Sequence, residues 1–120
     1  MRMEERMGAV ETRFAEIIWA HAPLSSRELV RLSEEALGWK KSTTYTVLRR
    51  LCDKGLFRNE NGTVTVVVNR TAYEEGQSRR FVSETFGGSL PAFLAAFTAR
   101  TGLTEEERAE LRRLIDGEEG

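Results

Sequence analysis

Ser42, Thr43, Thr46, Arg49 and Arg50 fall three, four and seven residues apart, which gathers them on one half of an α-helix. Short hydroxyls on such a face suit close approach to the edges of bases, and a threonine methyl can meet the methyl of thymine. The arginines reach further, to guanine or to phosphate oxygens. Lys41 stands at the start of the same run, and Ser25 and Ser26 begin the helix before it, where backbone N–H groups suit phosphate. The chemistry on offer is recognition, with no bond made or broken. The competing reading is that these hydroxyls only cap and solvate a helix.

Local charge is compatible with recognition, though charge alone favours a solvated helix face. The whole chain carries 18 Lys and Arg against 19 Asp and Glu, a net of −1. That average hides an asymmetry. Residues 1–70 hold twelve basic against nine acidic residues, and residues 71–120 hold six against ten. The densest basic stretch, 39–58, has Lys40, Lys41, Arg49, Arg50, Lys54 and Arg58 against Asp53 alone. Such a cluster is an electrostatic footprint suited to phosphates.

Other chemistries lack their residues. There is no phosphate-binding glycine loop and no nucleophile elbow, and His21 is the sole histidine, so a catalytic triad has no base to draw on and the chain reads as a non-enzyme. Cys52 and His21 stand far apart and cannot make a metal site, so no metal and no cofactor is expected. Glu105-Glu106-Glu107 suits a helix N-terminus better than acid–base work. Cys52 reads as a small packing residue and, being single, forms no internal disulfide. No apolar run approaches the ~18 residues of a membrane span. The start, MRMEERMGAV, has no apolar signal core. No membrane insertion and a cytoplasmic location are therefore expected.

The elements that would hold the face follow from periodicity. Residues 1–8 read as frayed. Val10, Phe14, Ile17 and Ile18 give a first helix ending near His21, with Trp19 off its stripe and free to cover a neighbour. Ser25 and Glu28 form a capping box for a second helix with Leu29, Val30, Leu32 and Leu37, stopped by Gly38. The third helix spans 41–54, with Thr44, Val47, Leu48 and Leu51 inward. After Gly55, Asn61-Gly62 marks a hairpin turn, and Val64, Val66, Val67 and Val68 form its return strand. Three helices and a hairpin make a winged helix-turn-helix, whose second motif helix enters the major groove of DNA. Thr71 to Glu74 read as a capping box for a helix to about Phe86. Gly87-Gly88 break it, Ser89 caps LPAFLAAF, Gly102 ends that helix, and Thr104 with Glu107 caps the last one. The expected fold is mainly α with a small β-hairpin, divided into a DNA-binding domain at 1–70 and a helical dimerisation domain at 71–120.

The run from Trp39 to Leu56, WKKSTTYTVLRRLCDKGL, resembles the reading helix of the penicillinase and methicillin-resistance repressors. Glu16 to Trp19, Phe86 to Leu90 and Leu103 to Glu107 match the same family in order, so the resemblance covers roughly residues 10–116. It implies a dimer on a palindromic operator in double-stranded DNA, repressing resistance genes until a membrane sensor triggers cleavage by a regulatory protease. Carried over by position, Ser42, Thr43 and Thr46 face bases and Arg50 the backbone, and the cut falls at Ala96–Phe97. Departures are Thr12, where an aromatic is frequent, and Ala96, where Asn is usual.

The arm supports a partner independently. Phe81, Phe86, Leu90, Phe93, Leu94 and Phe97, with Leu111, Leu114 and Ile115, are too many apolar groups for helices without an obvious core. A two-fold homodimer would cover them and match two half-sites. Two rivals remain at this point: a winged helix serving protein–protein contact, and a regulator responding to a small molecule.

Overall fold

The computed structural model describes residues 7–117. Among these run α1 (Ala9–His21), β1 (Leu24–Ser25), α2 (Ser26–Leu37), α3 (Lys41–Asp53), β2 (Phe57–Glu60), β3 (Thr63–Val66), α4 (Arg70–Thr85), α5 (Leu90–Phe97) and α6 (Glu105–Ile115). The fold is mainly α with a small antiparallel sheet, in the winged-helix order expected. Of the start read as frayed, residues 1–6 lie outside those described. Gly8 caps α1, and the Met7 N–H donates to the Tyr73 hydroxyl at 3.1 Å.

The chain divides into two compact units, residues 1–80 and 81–120, so the break falls within α4. The first unit has a closed apolar core. Phe14, Ala15 and Ile18 of α1, Leu29 of α2, Val47, Leu48 and Leu51 of α3, and Leu56, Phe57 and Val64 around the hairpin are buried together. Full burial of each large side chain contributes ~1.5–3 kcal/mol. Trp19 covers the edge of this core. Its ring lies 5.7 Å from Phe57 and 5.9 Å from Tyr73, and its indole N–H donates to the Val68 carbonyl at 2.9 Å.

Several local expectations are corrected. Val10 is exposed, and Ala15 takes the inward place one turn on. Ser25 caps α2 by accepting from the Glu28 N–H at 3.0 Å, but the Glu28 side chain does not return to the cap; it pairs with Arg31. An arginine at i+3 offers a carboxylate a charged partner, which the cap N–H does not. A third strand, β1, was not foreseen: two residues are too short to show alternation, yet Leu24 and Ser25 pair with Val64 and Thr63. β3 ends at Val66, and Val67 and Val68 instead donate their N–H groups to the Leu56 carbonyl. Asn69, not Thr71, caps α4, accepting from the Ala72 N–H at 2.8 Å. α5 stops at Phe97 rather than Gly102.

The second unit has a different character. Ser89 caps α5 and the Thr104–Glu107 capping box opens α6, both as read from the sequence. Four phenylalanines form a cluster, with centroid separations of 5.9 Å for Phe81–Phe86, 5.6 Å for Phe86–Phe93 and 5.8 Å for Phe93–Phe97. Even so, no residue of α4, α5 or α6 is buried.

Candidate nucleic-acid interface

Geometry sorts the side chains of α3 into three groups. Thr44, Val47, Leu48 and Leu51 are buried, while Ser42, Thr43, Thr46, Arg49 and Arg50 are exposed, as is Lys41 at the helix start. At ~100° per residue, the direction opposite the buried stripe falls on Ser42, Thr46, Arg49 and Asp53. Thr43 and Arg50 occupy one flank. Tyr45 and Cys52 occupy the other, toward the hairpin.

Arg50 is held from below. Its Nη1 lies 2.7 Å from Glu11 Oε2 on α1, and the second oxygen of that carboxylate lies 3.3 Å from Lys54 Nζ. Burial works to raise the Glu11 carboxyl, but the Arg50 guanidinium, the Gly8 N–H and the Lys54 ammonium together outweigh it and hold the group below its ordinary range. Lys54 is 8% exposed. The basic stretch thus spends one cation inside the domain. Arg50 stays half-exposed, with guanidinium donors to spare.

The start of α2 is already engaged. The Ser25 hydroxyl accepts from the Glu28 N–H. The Ser26 N–H donates to the Gly62 carbonyl at 2.7 Å, and its hydroxyl accepts from the Tyr45 hydroxyl at 3.2 Å. The two residues therefore bring α2, α3 and the hairpin turn together. Asn61 and Gly62 both take positive φ, 54° and 82°, as the turn requires. Sequence reasoning missed Tyr45, to which it assigned no role. It also missed Glu11, whose partners lie 39 and 43 positions away. No local pattern signals either contact.

Cys52 is half-buried against the hairpin. Burial first, and Asp53 second, push its thiol up, against a smaller opposite effect of the Asn59 backbone. A protonated thiol in such a place packs rather than reacts. His21 folds back on its own helix, with Nδ1 at 2.9 Å from the Ile17 carbonyl. Among the described residues, no three His, Cys, Asp or Glu side chains come together as a metal site, and no helix is long and apolar enough to cross a membrane.

In the second unit, Phe86, Phe93, Leu94 and Leu111 are half-buried. Phe81, Leu90, Phe97, Leu114 and Ile115 are exposed, Phe97 at 66% and Ile115 at 75%. Leu94, Leu103, Leu111 and Ile115 line an open apolar groove of about 410 Å³ flanked by Arg108 and Arg112. Ala96 and Phe97 both lie exposed in the last turn of α5.

Comparison with known sequences agrees with this arrangement. A profile described as penicillinase repressor matches residues 7–117. The penicillinase repressor of Bacillus licheniformis is 25% identical over 120 residues, covering 97% of this chain and 94% of its own length. The methicillin resistance regulatory protein MecI of Staphylococcus aureus is 21% identical over 114 residues, covering 92% and 93%.

Proposed function

Because the chain belongs to the penicillinase repressor family, whose members are transcriptional repressors and not enzymes, we propose that it represses transcription by binding a palindromic DNA operator as a homodimer. The observation that carries this reading is the outward face of α3. Hydroxyls at Ser42, Thr43 and Thr46 stand beside the cations Lys41, Arg49 and Arg50, above a fully apolar inner stripe apart from Thr44. Ser42, Thr43 and Thr46 face base edges, and Arg49 and Arg50 reach the backbone or guanine. Ser25 and Ser26 flank the groove from the start of α2. The protein works in the cytoplasm, where its operator lies.

Dimerisation is supported by the second unit's missing interior. Apolar side chains that no element of their own unit covers gain burial only from a partner. α6 carries Glu105, Glu106 and Glu107 in its first turn and Arg112 and Arg113 in its last. Two antiparallel copies would set acid against base along an apolar seam. Phe81, Phe86, Leu90, Phe93, Leu94, Phe97, Leu111, Leu114 and Ile115 supply that seam.

Relief of repression is proteolytic, at Ala96–Phe97. The position in the final, exposed turn of a helix supports it, because helix ends open more readily than helix centres.

Selection of bound fragments from a random DNA pool tests the reading, followed by titration against salt. Enriched sites with two half-sites one helical turn or a multiple apart, and an affinity falling steeply with salt, are expected. No enrichment, or binding indifferent to salt, would overturn it.

A further inference from the structure

Behind the outward face of α3, the hairpin meets the helix in the core, where Leu48 and Leu51 are buried with Leu56, Phe57 and Val64. Outside that contact lies an open pocket of about 350 Å³, lined by Tyr45, Leu48, Arg49 and Cys52 of α3 and Asn59 of β2. Leu48 is buried, but Tyr45 and Cys52 are only half-covered, so packing between hairpin and helix is incomplete at this rim. A second connection, by hydrogen bonds, is made at the far end of the hairpin. Tyr45 donates its hydroxyl to Ser26 Oγ at 3.2 Å. Ser26 in turn donates its N–H to the Gly62 carbonyl at 2.7 Å. Ser25 beside it pairs with Thr63 in the β1–β3 ladder. Three elements thus meet at one serine: α3 through its side chain, the hairpin turn through its backbone, and α2 as its own first residue.

We propose that Tyr45 is a positioning residue that sets the hairpin against the reading helix through Ser26, and so governs how well both engage DNA at once. The inference rests on the DNA-binding function proposed above. Its logic is geometric. Ser26 is fixed at the start of α2 by its own N–H bond to Gly62 and by the pairing of its neighbour Ser25 with Thr63, so it is a firm post. The Tyr45 ring spans from α3 to that post along the mouth of the pocket. Rotation of α3 about its axis would carry the hydroxyl away from Ser26, so the bond holds the orientation of Ser42, Thr46 and Arg49 relative to the turn at Asn61-Gly62. Gly62 is called for by its positive φ of 82° rather than by crowding, since a Cβ there would meet Ser26 Oγ at an ordinary 3.8 Å. Phenylalanine at position 45 would fill the same space and lose only the tether.

Tyr45→Phe, Ser26→Ala and the double variant, each as the full chain, test this with two measurements. Without DNA, amide hydrogen exchange should quicken about three- to tenfold at Ser26 and Thr63 in Tyr45→Phe, the size expected for loss of one hydrogen bond. Exchange at Leu48 and Leu51 should not change. With DNA, operator affinity should fall by roughly the same factor. Backbone protection should be lost where the hairpin lies and kept where α3 lies. The double variant should bind no worse than either single one, since both remove the same link. Unchanged exchange at Ser26 and Thr63, additive losses, or an unchanged footprint would overturn the proposal. Wild-type protein that selects no DNA site, while its exchange pattern still responds to Tyr45→Phe, would instead overturn the DNA-binding reading and leave the tether as a purely structural bond, against the role proposed for it.

Discussion

The carboxylate of Glu11 lies 2.7 Å from the guanidinium of Arg50, joining the first turn of α1 to the last turn of α3. With Lys54 on its other oxygen, Glu11 anchors the end of α3 to α1. It leaves Arg50 oriented rather than buried. A guanidinium held on one edge loses less freedom when its other edge meets a phosphate.

Replacing Glu11 by Gln should therefore lower stability by about 1–2 kcal/mol at neutral pH, because the nearly buried Lys54 loses its counter-charge. The folded carboxyl titrates below the ordinary glutamate range. Its contribution is then fully present above about pH 4.5 and fades as pH falls through the lower folded value. Urea melts from pH 7 to pH 3 should show the wild type losing stability over the acid limb. The variant should lose less there, so the two curves converge. Parallel curves would remove Glu11 from the account.

Thr43→Ala with Thr46→Ala should abolish discrimination between operator and unrelated DNA while leaving the melting temperature and oligomeric state unchanged, since both side chains are exposed. Arg50→Ala should act differently. It should weaken binding to all sequences alike and lower the salt slope by ~1, as for one lost phosphate contact. Competition binding across single-base operator variants separates the two. A double threonine variant with wild-type preferences would remove α3's hydroxyls from base reading. An Arg50 effect confined to one base pair would make that residue a base reader.

Much of this was legible in the sequence, for identifiable reasons. The inward stripe Thr44, Val47, Leu48 and Leu51 and the Asn61-Gly62 turn are local patterns, and both appear as read. So do the caps at Ser25, Ser89 and Thr104. What the sequence hid is non-local or too short to carry a period. β1 has two residues and exists because β3 offers an edge to pair with. The Tyr45–Ser26 and Glu11–Arg50 contacts join elements whose approach no spacing rule predicts. α5 stopped early because Thr98 turns its hydroxyl back onto the Leu94 carbonyl at 2.8 Å and leaves the helical path.

Phe93 is a poor place to probe dimerisation, since its ring contacts Phe81, Phe86 and Phe97 and a charge there would damage the unit itself. Ile115 is the sharper probe, being 75% exposed at the end of α6. Ile115→Glu should leave helical content intact and shift sedimentation from dimer to monomer, because an unpaired charge in an apolar seam is strongly disfavoured. Operator affinity should fall with it. A variant that sediments as wild type would exclude the end of α6 from the interface.

Cutting between Ala96 and Phe97 should convert the repressor into two weakly associated pieces. The cut leaves Phe86, Phe93 and Leu94 on one fragment and Leu103, Leu111, Leu114 and Ile115 on the other, so the groove that Leu94 shares with the last helix loses its continuity. The winged-helix core lies wholly upstream and should survive, since every residue of its buried cluster falls between Phe14 and Val64. What is lost is the linkage of two half-site contacts, which is able to supply ~10²–10⁴ in avidity. Access does not require unfolding of the whole arm. The bond lies in the last turn of an eight-residue helix; Thr98 still bonds to Leu94 at 3.0 Å, but the next N–H, of Ala99, reaches Ala96 only at 3.4 Å. A specific protease site placed at 96–97 gives the test. After cleavage, sedimentation should report monomers, operator affinity should fall by two orders of magnitude or more, and thermal melting of the first unit should be retained. Cleaved protein that stays dimeric and bound to its operator would rule out proteolysis here as the means of release.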